Sequence, residues 1–144
     1  MAIFPKLVIF SSEAREKMLK GFGIATEAVA STLGPRGRNV AIDQYRGTDT
    51  APSILHDGVS VCRAINLRDP FEDMAVRLLK DAALQTNQKA GDGTTTSVIL
   101  AHALVSEAFK HIGAGANPLK LKREIEEAYR LVLEQLKKLA KEVK

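Results

Sequence analysis

The chain has 144 residues, 45% hydrophobic and 26% charged, which is enough to enclose a core of its own and excludes an intrinsically disordered chain. Its formal charge of +4 comes from Lys and Arg interleaved with Glu, and with no Trp and 5% aromatics it lacks the stacking platforms of single-strand nucleic-acid binders. The one cysteine, Cys62, excludes an intrachain disulfide; with no stretch long enough to span a membrane and no signal-peptide pattern in Met1 to Phe10, the expectation is a cytoplasmic protein with neither nucleic acid nor membrane as partner.

Residues Lys6 to Phe10 are a β-prone run that either pairs with a sheet edge or frays. Ser11 or Ser12 then offers an N-cap, and Met18, Phe22, Ala25, Val29 and Leu33 recur at helical spacing. Gly21 and Gly23 inside this helix each cost about 1 kcal/mol relative to Ala, and mark a close packing contact or a bend. The helix stops at Thr32-Leu33-Gly34-Pro35-Arg36-Gly37-Arg38. Read alone, this is equally a loop that wraps a phosphate or a C-cap followed by a basic surface turn. Asn39 to Asp43 and Ser53 to Leu55 read as antiparallel strands across the polar loop Gln44 to Pro52, a small β-hairpin. His56-Asp57-Gly58 leads either into a strand Val59 to Val61 or into a short helix carrying Val59, Cys62 and Ile65. Both place Asp57 on a bend at a strand end, where its carboxylate could serve a ligand or simply an ordinary turn.

Asp69-Pro70-Phe71-Glu72-Asp73 is a strong helix start, with an N-cap, Pro at the first position and acids in the first turn. Phe71, Met74, Ala75, Leu78 and Ala82 form the expected buried stripe. That helix runs to Gly91-Asp92-Gly93-Thr94-Thr95-Thr96, from which a further helix departs. Its residues Val98, Ala101, Leu104, Val105, Ala108, Phe109 and Ile112 are apolar on more than one face, which predicts a helix central to the core. His102 and His111 on it read as packing or surface residues. After a break at Gly113 to Ala116, Asn117-Pro118 caps a last helix, whose apolar period runs through Leu121, Ile125, Ala128, Val132, Leu136, Leu139 and Val143. Lys120/Glu124, Arg123/Glu127 and Glu134/Lys138 are expected as ion pairs on its outer face. The period is still running at Lys144, so the chain reads as cut from something longer.

Chemistry concentrates at Gly91 to Thr96. Two glycines free the backbone to approach a ligand, three threonines supply hydroxyls, and the following helix presents unpaired N–H groups and a positive dipole end that attract an anion. Asp92 has the wrong charge to hold a phosphate but the right chemistry for Mg²⁺ beside one. No lysine follows the second glycine, so this is not a Walker A loop. A helix C-cap, a turn and a threonine N-cap would account for a lone Gly-Asp-Gly; the run of threonines weighs against that.

Thr32 to Val40, Asp57 to Val61, Ala90 to Thr96 and Gly115 to Pro118 together resemble, in order and at nearly the family's spacing, the group I chaperonins of the GroEL type. The resemblance implies a mainly α fold, a helical bundle with a small β-hairpin and an N-terminal strand. Residues 1–144 would be the N-terminal half of the ATP-binding equatorial domain, ending near the hinge to the intermediate domain. It implies an ATPase, active as a full-length subunit and inactive as these 144 residues alone, with ATP, Mg²⁺ and K⁺ as cofactors. Thr32, Leu33, Gly34 and Pro35 would contact nucleotide, as would His56, Gly58 and Gly91. Asp92 would bind Mg²⁺, Gly93, Thr94, Thr95 and Thr96 would hold phosphates, and Asp57 would stand near the attacking water as a catalytic carboxylate. The partners implied are sister subunits in a homo-oligomeric double ring, joined partly through the N-terminal strand and the hairpin, with unfolded clients and a co-chaperonin bound by an apical domain beyond this chain. The family's principal catalytic aspartate and the adenine-side contacts would also lie beyond Lys144.

Two departures stand out. His56 occupies a position where the family usually carries lysine, and histidine is shorter and mostly neutral at pH 7. The loop Arg46 to Thr50 is a few residues longer than usual. The competing function is a stand-alone nucleotide-binding or scaffolding remnant without folding activity, distinguished by whether the reading frame continues past Lys144. A basic nucleic-acid-binding helical module is a distant third.

Overall fold

The computed structural model describes residues 7–43 and 51–141. It is mainly α, with helices α1 (Ser11–Ala30), α2 (Gly58–Ala64), α3 (Pro70–Ala90), α4 (Thr94–Gly113) and α5 (Pro118–Leu139), and strands β1 (Val40–Ile42) and β2 (Ser53–Leu55). The strands pair antiparallel with Val40 opposite Leu55 and Ile42 opposite Ser53, the hairpin expected from the sequence. Residues 44–50 of its connecting loop, including Arg46 to Thr50, lie outside the described residues, as do Lys6 and Val143. Residues Leu7 to Phe10 form no strand, which corrects the expectation of an N-terminal one. Leu7, Val8 and Phe10 are exposed, and a lone β-prone run has no ladder to join when the described sheet contains β1 and β2 alone.

Two compact units are present, residues 1–106 and 107–144. In the first, α1 and α3 lie side by side in the same direction. Lys17 pairs with Asp69, and Lys20 Nζ donates to Glu72 Oε1 at 2.7 Å. Gly21 sits so close to α3 that a methyl group there would collide with the Glu72 carbonyl and lie 3.0 Å from Ala75 Cβ. Gly23 has open space around it, so only the first of these glycines is a packing requirement. Because the helices run together, their C-terminal ends deliver the loops after Ala30 and after Ala90 to the same end of the unit.

The core is Phe22, Ala25 and Val29 of α1, Val61 and Cys62 of α2, Ala75, Val76, Leu79 and Ala83 of α3, and Val98 of α4. The buried stripe of α3 is therefore rotated from the expected one. Met74 is 45% and Leu78 53% exposed. Of the expected residues Ala75 is fully buried; both rows satisfy helical spacing, and the core shared with α1, α2 and α4 takes Val76, Leu79 and Ala83 over Met74, Leu78 and Ala82. The expectation that α4 is central to the core also fails, since only Thr94 and Val98 of it are buried and Leu100 and Leu104 stand open. His102 lies obliquely beside Phe22, ring centroids 6.4 Å apart and planes inclined at 25°.

Helix starts follow local chemistry. Asp69 Oδ1 accepts from the N–H groups of Phe71 and Glu72 at 2.9 and 3.2 Å, and Asn117 Oδ1 from those of Leu119 and Lys120 at 2.9 and 3.2 Å. At α1 neither serine caps; Phe10 takes the N-cap position without a side-chain hydrogen bond. In the second unit, α4 ends at Gly113 and Gly115 turns the chain with φ +96°. Along α5, Lys120–Glu124 and Lys122–Glu126 lie at 3.7 Å; the first of these was expected from the sequence. The helix closes at Leu139 with Ala140 extended, short of the expected run to Val143. No described helix is long and apolar enough to cross a membrane.

Candidate functional site

Three segments meet at the C-terminal end of the α1–α3 pair. The first leaves α1 as a closed turn. The N–H and hydroxyl of Thr32 donate to Val29 O at 3.1 and 2.7 Å, Gly37 N donates to Gly34 O at 2.9 Å, and Arg38 N to Ser31 O at 2.8 Å. Gly34 has φ +75°, which a side chain would strain. The second is the start of α2, where the structure resolves the sequence ambiguity in favour of a helix. Asp57 is its N-cap: Oδ1 accepts from Val59 N at 3.4 Å, and Oδ2 from Ser60 N and Oγ at 3.1 and 3.0 Å. Burial pushes the Asp57 carboxyl up, but the Ser60 N–H and hydroxyl, the Val59 N–H and the His56 charge outweigh it and hold the group below its ordinary range. The Ser60 hydroxyl thus adds a side-chain donor to the backbone donors of this cap, a role the sequence reading did not give it.

The third segment joins α3 to α4. Gly91 closes α3 in the left-handed conformation at φ 72°, its N–H donating to Asn87 O at 2.9 Å. Gly93 follows at φ +78°, donating to Asp92 Oδ1 at 2.6 Å. Apart from that bond the Asp92 carboxylate is open to solvent, and Thr94 to Thr96 form the first turn of α4, whose N–H groups have no acceptor within the helix.

Together these segments line a cleft of about 260 Å³ formed by Thr32, Leu33, Gly34, His56, Asp57, Gly58 and Asp92 to Thr96. All of these residues are among those singled out in the sequence; Pro35 and Gly91 stand beside the lining, in the turn and the helix cap. Larger concavities of about 730 and 510 Å³ flank β1, and two of about 360 Å³ lie along α3 and at the start of α5. None of their walls brings a pair of carboxylates together, so chemistry singles out the smaller cleft. At 260 Å³ it falls below the roughly 300–1,000 Å³ of sites that enclose a whole small molecule. The dimensions suit the charged end of a ligand. No group of three His, Cys, Asp or Glu able to hold a metal exists among the described residues. The two carboxylates of the cleft, Asp57 and Asp92, fit a cation such as Mg²⁺, which takes one or two carboxylates and completes its shell with phosphate oxygens and water.

The family model of the TCP-1/cpn60 chaperonin family matches residues 25–144. The chain belongs to that family. Among solved structures, this chaperonin chain is similar to the chaperonin gp146 from the bacteriophage EL 2 (Pseudomonas aeruginosa), determined in the presence of ATP-BeFx, with a TM-score of 0.79 and 27% identity over 96% of this chain and 24% of that one. It is also similar to a group III chaperonin in the open state, with a TM-score of 0.76 and 28% identity over 91% of this chain and 25% of that one. The chain thus spans about a quarter of the length of these chaperonins.

Proposed function

We propose that this chaperonin chain binds MgATP through the cleft between α1, α2 and α4, as part of a subunit whose ATP cycle drives protein folding. The observation that carries the reading is the convergence of two carboxylates, Asp57 and Asp92, with the N-terminal turn of α4 in one cleft. The N–H groups of Thr94 to Thr96, with the hydroxyl of exposed Thr96, hold phosphate oxygens, aided by the positive end of the helix. Gly93 keeps the backbone close to them, and Asp92, with its free oxygen, is the metal ligand. When bound, Mg²⁺ neutralises charge that accumulates on phosphoryl oxygens. Asp57, kept ionised by its capping bonds, orients water beside that end of the nucleotide. Thr32 to Pro35 close the cleft from the α1 side, with His56, Gly58 and Gly91 completing its surroundings.

The solution of the phage chaperonin with ATP-BeFx supports a nucleotide as the ligand. On this reading residues 1–144 are equatorial-domain residues of a cytoplasmic double-ring assembly, with K⁺ as a further cation. Clients and a co-chaperonin engage parts of the subunit outside them. Isothermal titration of the whole protein with ATP, with and without Mg²⁺, tests the reading: saturable binding that strengthens with Mg²⁺ and is lost in Asp92→Ala is expected. Binding indifferent to both would refute it.

A further inference from the structure

Gly58 is the first residue of α2, directly after Asp57, and it is buried. It is not among the positive-φ glycines, so the backbone does not demand glycine there. Space does. A methyl group at Gly58 would collide with Thr95 Oγ1 and lie 3.2 Å from Thr95 Cβ and 3.4 Å from Val29 Cγ1. Gly34, Gly91 and Gly93 present the opposite case, with positive φ and nothing within 4 Å. The Thr95 hydroxyl therefore occupies the volume that any side chain at position 58 would need, and is turned against the backbone of α2. Val29, fully buried, closes the third side, and its carbonyl accepts both the N–H and the hydroxyl of Thr32 at 3.1 and 2.7 Å. All three segments of the cleft thus register against one point.

We propose that Gly58 and Thr95 form a steric latch that sets the separation between the Asp57 and Asp92 segments, making both of them positioning residues for the phosphate and metal end of the ligand. The proposal rests on the reading of the cleft as a MgATP site. Thr95 lies three residues after Asp92 at the start of a rigid helix, so a side chain at 58 that displaces Thr95 carries the Asp92 loop away from Asp57. The three threonines then divide their work. Thr94 is buried, Thr96 is exposed, and Thr95 is the one whose hydroxyl meets the facing helix.

The test is a double-mutant cycle in the whole protein, read by titration calorimetry with MgATP. We expect Gly58→Ala to weaken binding by about tenfold or more, Thr95→Ala by only about threefold, and the double variant to return to within about twofold of Thr95→Ala, since deleting Oγ1 vacates the contested space. The ratio of ATP affinities with and without Mg²⁺ should fall in Gly58→Ala and recover in the double variant, a response that mere loss of stability would not produce. Simply additive losses, or wild-type binding by Gly58→Ala, would overturn the latch. If Gly58→Ala does not fold, folding of the double variant supports it, and failure of both overturns it because removing Oγ1 then gives no relief. Additive losses in a wild type that binds MgATP defeat the latch alone; a wild type that does not bind defeats the reading of the cleft and the latch's role with it.

Discussion

At Asp92 the side chain contributes little to the fold: it is exposed and accepts one bond, from the next residue's N–H at 2.6 Å. Asp92→Ala should therefore change stability by no more than about 0.5 kcal/mol, while Mg²⁺-dependent ATP hydrolysis by the whole protein disappears. Melting curves and phosphate release check the two halves, and unchanged turnover with normal Mg²⁺ dependence would remove Asp92 from the metal. Asp57 is different because its carboxylate caps α2. Asp57→Ala should cost about 0.5–2 kcal/mol through the lost cap. Since the folded protein holds this carboxyl below its ordinary range, its contribution is complete above that range and is lost as pH falls through the lowered value. Urea titrations should show a gap between wild type and Asp57→Ala near neutrality that closes in strong acid; a gap independent of pH would mean that the charge is not what caps the helix. His56 lines the same cleft, and His56→Lys should tighten MgATP binding by adding a fixed charge, with a gain that shrinks as salt rises. Equal affinity of the two proteins at low salt would place position 56 away from the phosphates.

Two glycines on α1 make the element scale testable. Gly21→Ala drives a methyl into the Glu72 carbonyl, and overpacking of that kind costs about 1–3 kcal/mol. Gly23→Ala meets nothing and should stabilise by up to about 1 kcal/mol through helix propensity. Opposite shifts in denaturant midpoint are expected, and shifts of the same sign would mean that α1 and α3 do not pack as described. The sequence exposed both glycines but could not tell them apart, because the difference lies in what α3 brings to each. The same limit governs the rest. Asp69-Pro70 and Asn117-Pro118 were legible as helix starts since a cap depends on residues two or three places away. The α3 stripe was misread because Met74/Leu78 and Val76/Leu79 fit the helical period equally well, and only a neighbouring helix chooses between them. The cleft was legible because its residues are short-range motifs at loop tips; that Asp57 begins a helix was not, since a three-residue turn signal suits either outcome.

At the scale of the molecule, much apolar surface is uncovered. In the first unit Leu78, Leu100 and Leu104 are 53%, 57% and 55% exposed, and in the second α5 buries no residue, with Leu131 and Leu139 at 65% and 75%. Produced alone, these 144 residues should bind a hydrophobic dye and associate as concentration rises, bind ATP weakly, turn none over and form no ring. Dye fluorescence, phosphate release and sedimentation check this, and family-like turnover or a stable ring would overturn it. Cys62 offers a further view of the whole. It has no accessible surface, and burial pushes its thiol up while Lys80 pulls the other way. As the sole cysteine of these 144 residues it acts as a built-in clock: a thiol reagent can react with it only when α2 lifts from α1 and α3, so its labelling rate counts those openings. A ligand that ties the Asp57 end of α2 to the first turn of α4 should slow that clock, without any probe having been added to the protein.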